Sequence, residues 1–184
     1  IAKMMNQFIS DPSTNPYVGP RPFNEEEWRL FFGRQLEASH LGSLVLADRL
    51  TLFTAPSGAG KSSLISTSLR RELYAEGFDV LPPVRVSGDV PKEISTVSNI
   101  FIFDLISDLD AQQHDPALLT MKSLNDYLRE FHPPAAGDDR MQVKCQVIII
   151  DQFEEIFTSH PEAWKYREDF FVQLCQALDN NPHL

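Results

Sequence analysis

The segment Ala55-Pro56-Ser57-Gly58-Ala59-Gly60-Lys61-Ser62 has the residue types needed to cradle a polyphosphate. It is one substitution from the pattern G-x-x-x-x-G-K-[ST], with Ala55 where the first glycine is usual. Alanine requires an ordinary backbone conformation there, whereas the cradle itself is made by later residues. Gly58 and Gly60 let the loop curl until successive N–H groups face one anion. Lys61 brings a point charge for the β- and γ-phosphates, and the Ser62 hydroxyl can ligate Mg²⁺. The amides that open the following helix add their dipole. The candidate phosphate-binding set is Ser57, Gly58, Ala59, Gly60, Lys61, Ser62 and Ser63. The plain alternative is a flexible surface turn, but an apolar strand before it and a helical stretch after it are what the phosphate mechanism requires.

A second half of such a site is a carboxylate at the end of a buried strand. Val147-Ile148-Ile149-Ile150-Asp151 supplies one, about ninety residues after Lys61. Alone, an Asp after an apolar run is a turn or cap residue; with the loop upstream, Asp151 becomes the candidate magnesium ligand beside Ser62. Gln152 then stands where many ATPases place a glutamate, and Glu154 and Glu155 follow. These two acids either open a helix, where the dipole favours negative charge, or include the base that activates water. The residues themselves leave both readings open.

The surrounding elements must position these groups. Four prolines in Asp11–Pro22 imply an extended arm. Asn24 reads as a helix N-cap ahead of Glu25, Glu26 and Glu27. A helix is expected over Gln35–Asp48, with Leu36, Leu41, Leu44 and Val45 as its apolar stripe. Leu50–Ala55 reads as a short buried strand, and Ser62–Glu76 as a helix stopped by Gly77. Asp79–Val86 has strand residues but Pro82 and Pro83 make its start an edge or bend. Ser95–Asp110 has helical spacing, with Phe101, Phe103, Leu105, Ile106 and Leu109 facing the core. Further helices are expected over Ser123–Phe131 and Glu162–Leu178, with a polar flexible loop at Ala135–Arg140. Val143–Ile150 is the clearest strand, an apolar run of the type covered on both faces. This alternation predicts an α/β layered domain with a mostly parallel sheet.

Composition narrows the partners. The 184 residues carry 16 basic and 26 acidic side chains, a net charge of −10, so a surface built to grip a nucleic-acid backbone is not expected. A hydrophobic fraction of 42% suffices for a core. Cys145 and Cys175 have no partners at metal-ligand spacing and read as small core residues. No apolar run approaches the roughly 20 residues of a membrane span, and the N-terminus lacks a signal peptide's pattern, so the cytoplasm is the default. His40, His114, His132, His160 and His183 share no catalytic pattern and read as surface or capping residues. Trp28 and Trp164 read as anchors at the core edge. A first residue of Ile points to a piece of something longer.

Together, PYVGPRPF, FFGR, APSGAGKSSL and VIIIDQFEEIFT, spanning Tyr17 to Thr158 in this order, resemble the novel-STAND NTPase domain. STAND proteins are signal-transduction ATPases in which a nucleotide switch sits between effector and sensor. The resemblance implies a three-layer P-loop core, cut before its inserted central strand and sensor region, with residues 1–22 as an arm and 23–184 as the N-terminal part of the domain. It places Phe32, Gly33 and Arg34 near the adenine and ribose. It favours Glu154 as the hydrolytic carboxylate, with Glu155 second, and Gln152 departs from the usual Asp-Glu pair. The implied activity is slow ATP hydrolysis with Mg²⁺, coupled to self-association and effector activation, in bacteria for antiviral defence or related signalling. The competing expectation is a nucleotide-binding scaffold without significant turnover. A nucleotide-dependent kinase would need a basic clamp for a second substrate, and residues 88–110 show none.

Overall fold

The computed structural model describes residues 19–94, 96–134 and 143–184. The chain forms two units, Ile1–Glu76 and Gly77–Leu184. Of the expectations above, the start of the arm and the loop Ala135–Arg140 lie outside the described residues.

In the first unit a 3-10 turn, Glu25–Arg29, begins with the capping arrangement that Asn24 promised. Asn24 Oδ1 accepts from the Glu27 amide at 3.1 Å, and the Asn24 amide donates to Glu27 Oε2 at 2.9 Å. Arg21 pairs with the same carboxylate, and its hydrogen bonds hold Glu27 down at about 2. Helix α1 spans Gln35–Ala47. Its buried residues are Ala38, Leu41 and Gly42, which share a face at i, i+3 and i+4. Leu36, at 85% exposed, and Leu44 fall outside that face, which corrects the expected stripe. Gly42 is there for close approach, since a Cβ would sit 3.0 Å from Glu72 Oε2. The helical run after the loop is α2, Lys61–Leu64, a π turn at Ile65–Leu69, and α3, Arg70–Ala75. Gly77 follows with φ +88°, the left-handed stop that favours glycine. The Arg71 guanidinium lies 3.4 Å over the Trp28 ring, fixing that tryptophan as an anchor.

Residues 50–55 do not form the expected buried strand. They have no ladder partner among the described residues, and Leu52 is 76% exposed. A strand is stabilised through its neighbours' hydrogen bonds, so an apolar run without a paired neighbour forms no strand.

The second unit holds a small parallel sheet: β1, Asp79–Val80, against β2, Gln146–Val147, with Asp79 opposite Gln146 and Val80 opposite Val147. Pro82 and Pro83 lack donors, so the ladder breaks and resumes where Val84 N donates to Ile149 O and Asp151 N donates to Val84 O, at 2.9 and 2.8 Å. Val84 and Ile150 make a parallel bridge there. Val147–Ile150 are half-buried, not covered on both faces. Ile148 and Ile150 pack on the core, and β1 is the strand's one partner among the described residues. Among the described residues, five helices and a short turn accompany the sheet: α4, Ile100–Leu109; α5, Pro116–Leu119; α6, Leu124–Phe131; α7, Glu155–Thr158; and, after the turn Pro161–Ala163, α8, Lys165–Asn180.

Helix α4 starts five residues later than expected because Asn99 caps it, its Oδ1 accepting from the Phe101 and Ile102 amides. All five residues assigned to its core face are buried. The Asn99 amide group also reaches Tyr166 O and Asp169 Oδ2, both at 2.8 Å, tying α4 to α8. Cys145 and Cys175 are exposed and not core residues. Trp164 is exposed too and is not an anchor at the core edge. No helix among the described residues is long and apolar enough to cross a membrane.

Candidate nucleotide site

The candidate phosphate loop, residues 55–62, belongs to the first unit. Gly58 and Gly60 both take left-handed conformations, φ +76° and +79°. A β-carbon is strained at either position, and this backbone is the type that turns successive amides toward an anion. Ala59 N donates to Pro56 O at 3.2 Å, which closes the curl. Gly60 is the N-cap of α2 and no side chain caps that end. Leu64 N donates to Gly60 O at 2.9 Å, so the helix begins directly on the loop. Ser57 and Gly58 are exposed, while Ala59, Gly60, Lys61 and Ser62 are half-buried. Lys61 Nζ donates to Ala55 O at 2.8 Å, spanning the loop from its last residues to its first.

The box before the loop also meets it. Arg34 Nη1 donates to Ala59 O at 3.1 Å while its Nε pairs with Glu37 Oε1 at 2.8 Å. Gly33 has φ +84°, and its N–H donates to Gln35 Oε1. Phe32 is 74% exposed. The aromatic beside Gly60 is instead Phe31, whose Cε2 lies 4.0 Å from where a Gly60 Cβ would be. Ser63 is buried, and its Oγ accepts from the Phe23 amide at 3.1 Å. That hydroxyl serves the fold.

The acidic residues belong to the second unit. The parallel register carries the chain out of β2 so that Asp151 stands just past the sheet, the position where open α/β sheets bind ligands. Asp151 is half-buried, and its Oδ1 accepts from the Gln152 amide at 2.9 Å. Gln152 adopts φ +54°, a left-handed conformation that a non-glycine residue takes at a cost. Glu154 is exposed at the N-cap position of α7, with no side-chain cap bond. Glu155 is half-buried, and its Oε2 is buried without a hydrogen-bond partner among the described residues.

Asp104 of α4 stands at the turn that follows the β1 line. Its Oδ2 accepts from Ser87 Oγ at 2.9 Å and from the Gly88 amide at 3.0 Å. Burial nevertheless pushes its carboxyl above the ordinary 3.8, helped by Asp108 and Asp89. The ionised form is therefore less favourable in the folded chain than in the unfolded one. Below the ordinary carboxylate range both states are protonated and nothing is lost. As pH rises through the raised folded value, stability falls. Asp104→Asn keeps an acceptor and removes the charge. The variant is expected to unfold at higher urea than the parent at pH 7, with the difference closing below the ordinary Asp value. A variant less stable than the parent at pH 7 would refute this.

The loop offers an ammonium and backbone donors to an anion, and Asp151 and Ser62 offer hard oxygens. Mg²⁺ is usually held by one or two carboxylates plus substrate phosphates, not by an all-protein cage. No group of three or more His, Cys, Asp or Glu able to hold a metal occurs among the described residues. The side chains present fit a metal-bound polyphosphate in kind.

Sequence reasoning missed Arg85, whose Nη2 donates to the Gln152 side-chain amide oxygen at 3.2 Å. Arg85 could have been found, because it follows a strand that parallels the Asp151 strand, and side chains at such strand ends collect at one edge.

The model of a family described as Novel STAND NTPase 1 matches residues 16–184. No curated protein and no solved structure matches the chain.

Proposed function

The chain belongs to the Novel STAND NTPase 1 family, and from that premise we propose that it binds ATP with Mg²⁺ and hydrolyses it slowly as a signalling switch. The observation that carries this reading is the left-handed pair Gly58 and Gly60 running directly into the helix that Lys61 opens. Lys61 and the loop amides hold the β,γ-phosphates. Ser62 and Asp151 hold the metal, which neutralises charge on the phosphates. One acid of the Glu154-Glu155 pair orients water. Phosphoryl transfer needs mostly positioning and charge neutralisation, so few groups suffice. The Phe32-Gly33-Arg34 box borders the nucleoside, and the fold of the whole domain is a three-layer P-loop core. Nucleotide state biases closed and open arrangements, the open one self-associating to activate an effector in the cytoplasm, in antiviral defence or a related response.

Titration calorimetry of the full-length protein with ATP, with and without Mg²⁺, is expected to give tighter binding with the metal. Asp151→Asn should erase that difference while leaving metal-free binding in place. Equal magnesium dependence in both proteins would remove Asp151 from the role. A second reading, binding without turnover, is favoured by one residue, Gln152 in the place of the usual glutamate. Measured phosphate release separates the two.

A further inference from the structure

Gln152 is one of two non-glycine residues with positive φ among the described residues. Such a conformation persists where the surroundings hold it in place, and the side chain shows what is gained. With its amide assigned from its neighbours, Gln152 Nε2 donates to Glu155 Oε1 at 2.6 Å and Gln152 Oε1 accepts from Arg85 Nη2 at 3.2 Å. Arg85 is in reach because the Val84–Ile150 bridge sets the two strand ends side by side. Its own amide is fixed by Asp108 Oδ2 at 3.0 Å. Glu155 is further tied by its amide to Gln152 O at 2.9 Å. One oxygen of the Glu155 carboxylate is therefore occupied and directed, and the other is the buried, unpartnered Oε2. Glu154, by contrast, is exposed and makes no side-chain cap hydrogen bond.

We propose that Gln152 is a positioning residue, braced by Arg85, that holds Glu155 as the acid of hydrolysis with Oε2 turned to the attacking water. This rests on the reading of the chain as a nucleotide hydrolase and specifies which acid serves it. In the step served, water gives a proton to Oε2 as its oxygen bonds to the terminal phosphorus. The bond from that phosphorus to the bridging oxygen breaks, and its electron pair leaves with the nucleoside diphosphate. Gln152 in place of glutamate is then an orienting donor.

The test is steady-state phosphate release and Mg-ATP binding in the full-length protein. Gln152→Gly suits it, because glycine takes φ +54° freely and removes only the amide. This variant is expected to lose about 10–100-fold in kcat, the range for lost supporting contacts. KM and the binding constant should stay within about 3-fold, as for a residue acting on the step and not on ground-state binding. Glu155→Gln should lose about 10²–10³-fold, and the double variant with Gln152→Gly should be no slower than Glu155→Gln alone. The losses from Glu154→Gln and Gln152→Gly should multiply. Independent losses for Gln152 and Glu155, or coupling of Gln152 to Glu154 instead, would overturn the proposal. So would a parent protein that binds Mg-ATP without turnover, which leaves the binding reading standing. A parent that binds no nucleotide would overturn both.

Discussion

Replacing Lys61 by alanine is expected to weaken Mg-ATP binding roughly 10–100-fold, because a hydrogen bond to a charged group contributes about 1.5–3 kcal/mol. Turnover should fall further, by about 10²–10³-fold, the usual cost of removing one preorganised donor from developing negative charge. The geometry supports a specific role. Lys61 Nζ already crosses the loop to Ala55 O at 2.8 Å, so the ammonium is held against the same loop that carries the left-handed glycines. The fold should survive the change, since alanine is the better helix former at an exposed or half-buried helical position, and the lost hydrogen bond is to one carbonyl. Calorimetry of the full-length variant, with its melting temperature as the control for folding, reads the effect. Unchanged binding by a variant that melts like the parent would remove the phosphate role of the loop.

Phe101→Ala is expected to lower the stability of the second unit by about 3–5 kcal/mol, a large share of the roughly 5–15 kcal/mol that stabilises a whole domain. Phe101 is fully buried and meets Phe170 edge-to-face, with centroids 6.5 Å apart and planes at 82°. Its ring also explains Gly88. A Cβ there would lie 2.9 Å from Phe101 Cε1 and 3.0 Å from Ile100 Cδ1, and φ is +83°. Gly88→Ala alone therefore meets both a steric and a backbone cost. Where Phe101 is already alanine, the clash with its ring is gone and the remaining cost should fall toward the backbone share, about 1–2 kcal/mol. Hydrogen exchange of the α4 amides in the full chain measures both. A loss below about 1 kcal/mol for Phe101→Ala would show that the site repacks without a cavity.

The parts of this molecule that rest on near neighbours in the chain were legible in its sequence. Asn24 forms its capping box with Glu27, Ser123 caps α6 through the Asp126 amide, and Gly77 stops the run that began at Lys61. The same holds for the left-handed glycines of the loop and for the buried face of α4. Each depends on contacts three or four residues apart or on the intrinsic conformational range of one residue, and such information is local.

What the sequence left open depends on pairing over long separations. Leu50–Ala55 has the composition of a strand, yet strand character is conferred by a neighbour. Leu36 and Leu44 looked like members of a stripe, but the face that packs is set by what α1 meets, Leu69 and Glu72 beside Gly42. Both cysteines sit in apolar sequence and are exposed. The choice between Glu154 and Glu155 is of the same kind. They are adjacent and chemically alike, and they differ because a parallel register brings Arg85, far away in the chain, to the amide of Gln152. Local sequence determined which chemical groups the strand end carries. Tertiary structure decided which of them is held, because only a folded sheet brings distant side chains within hydrogen-bond reach.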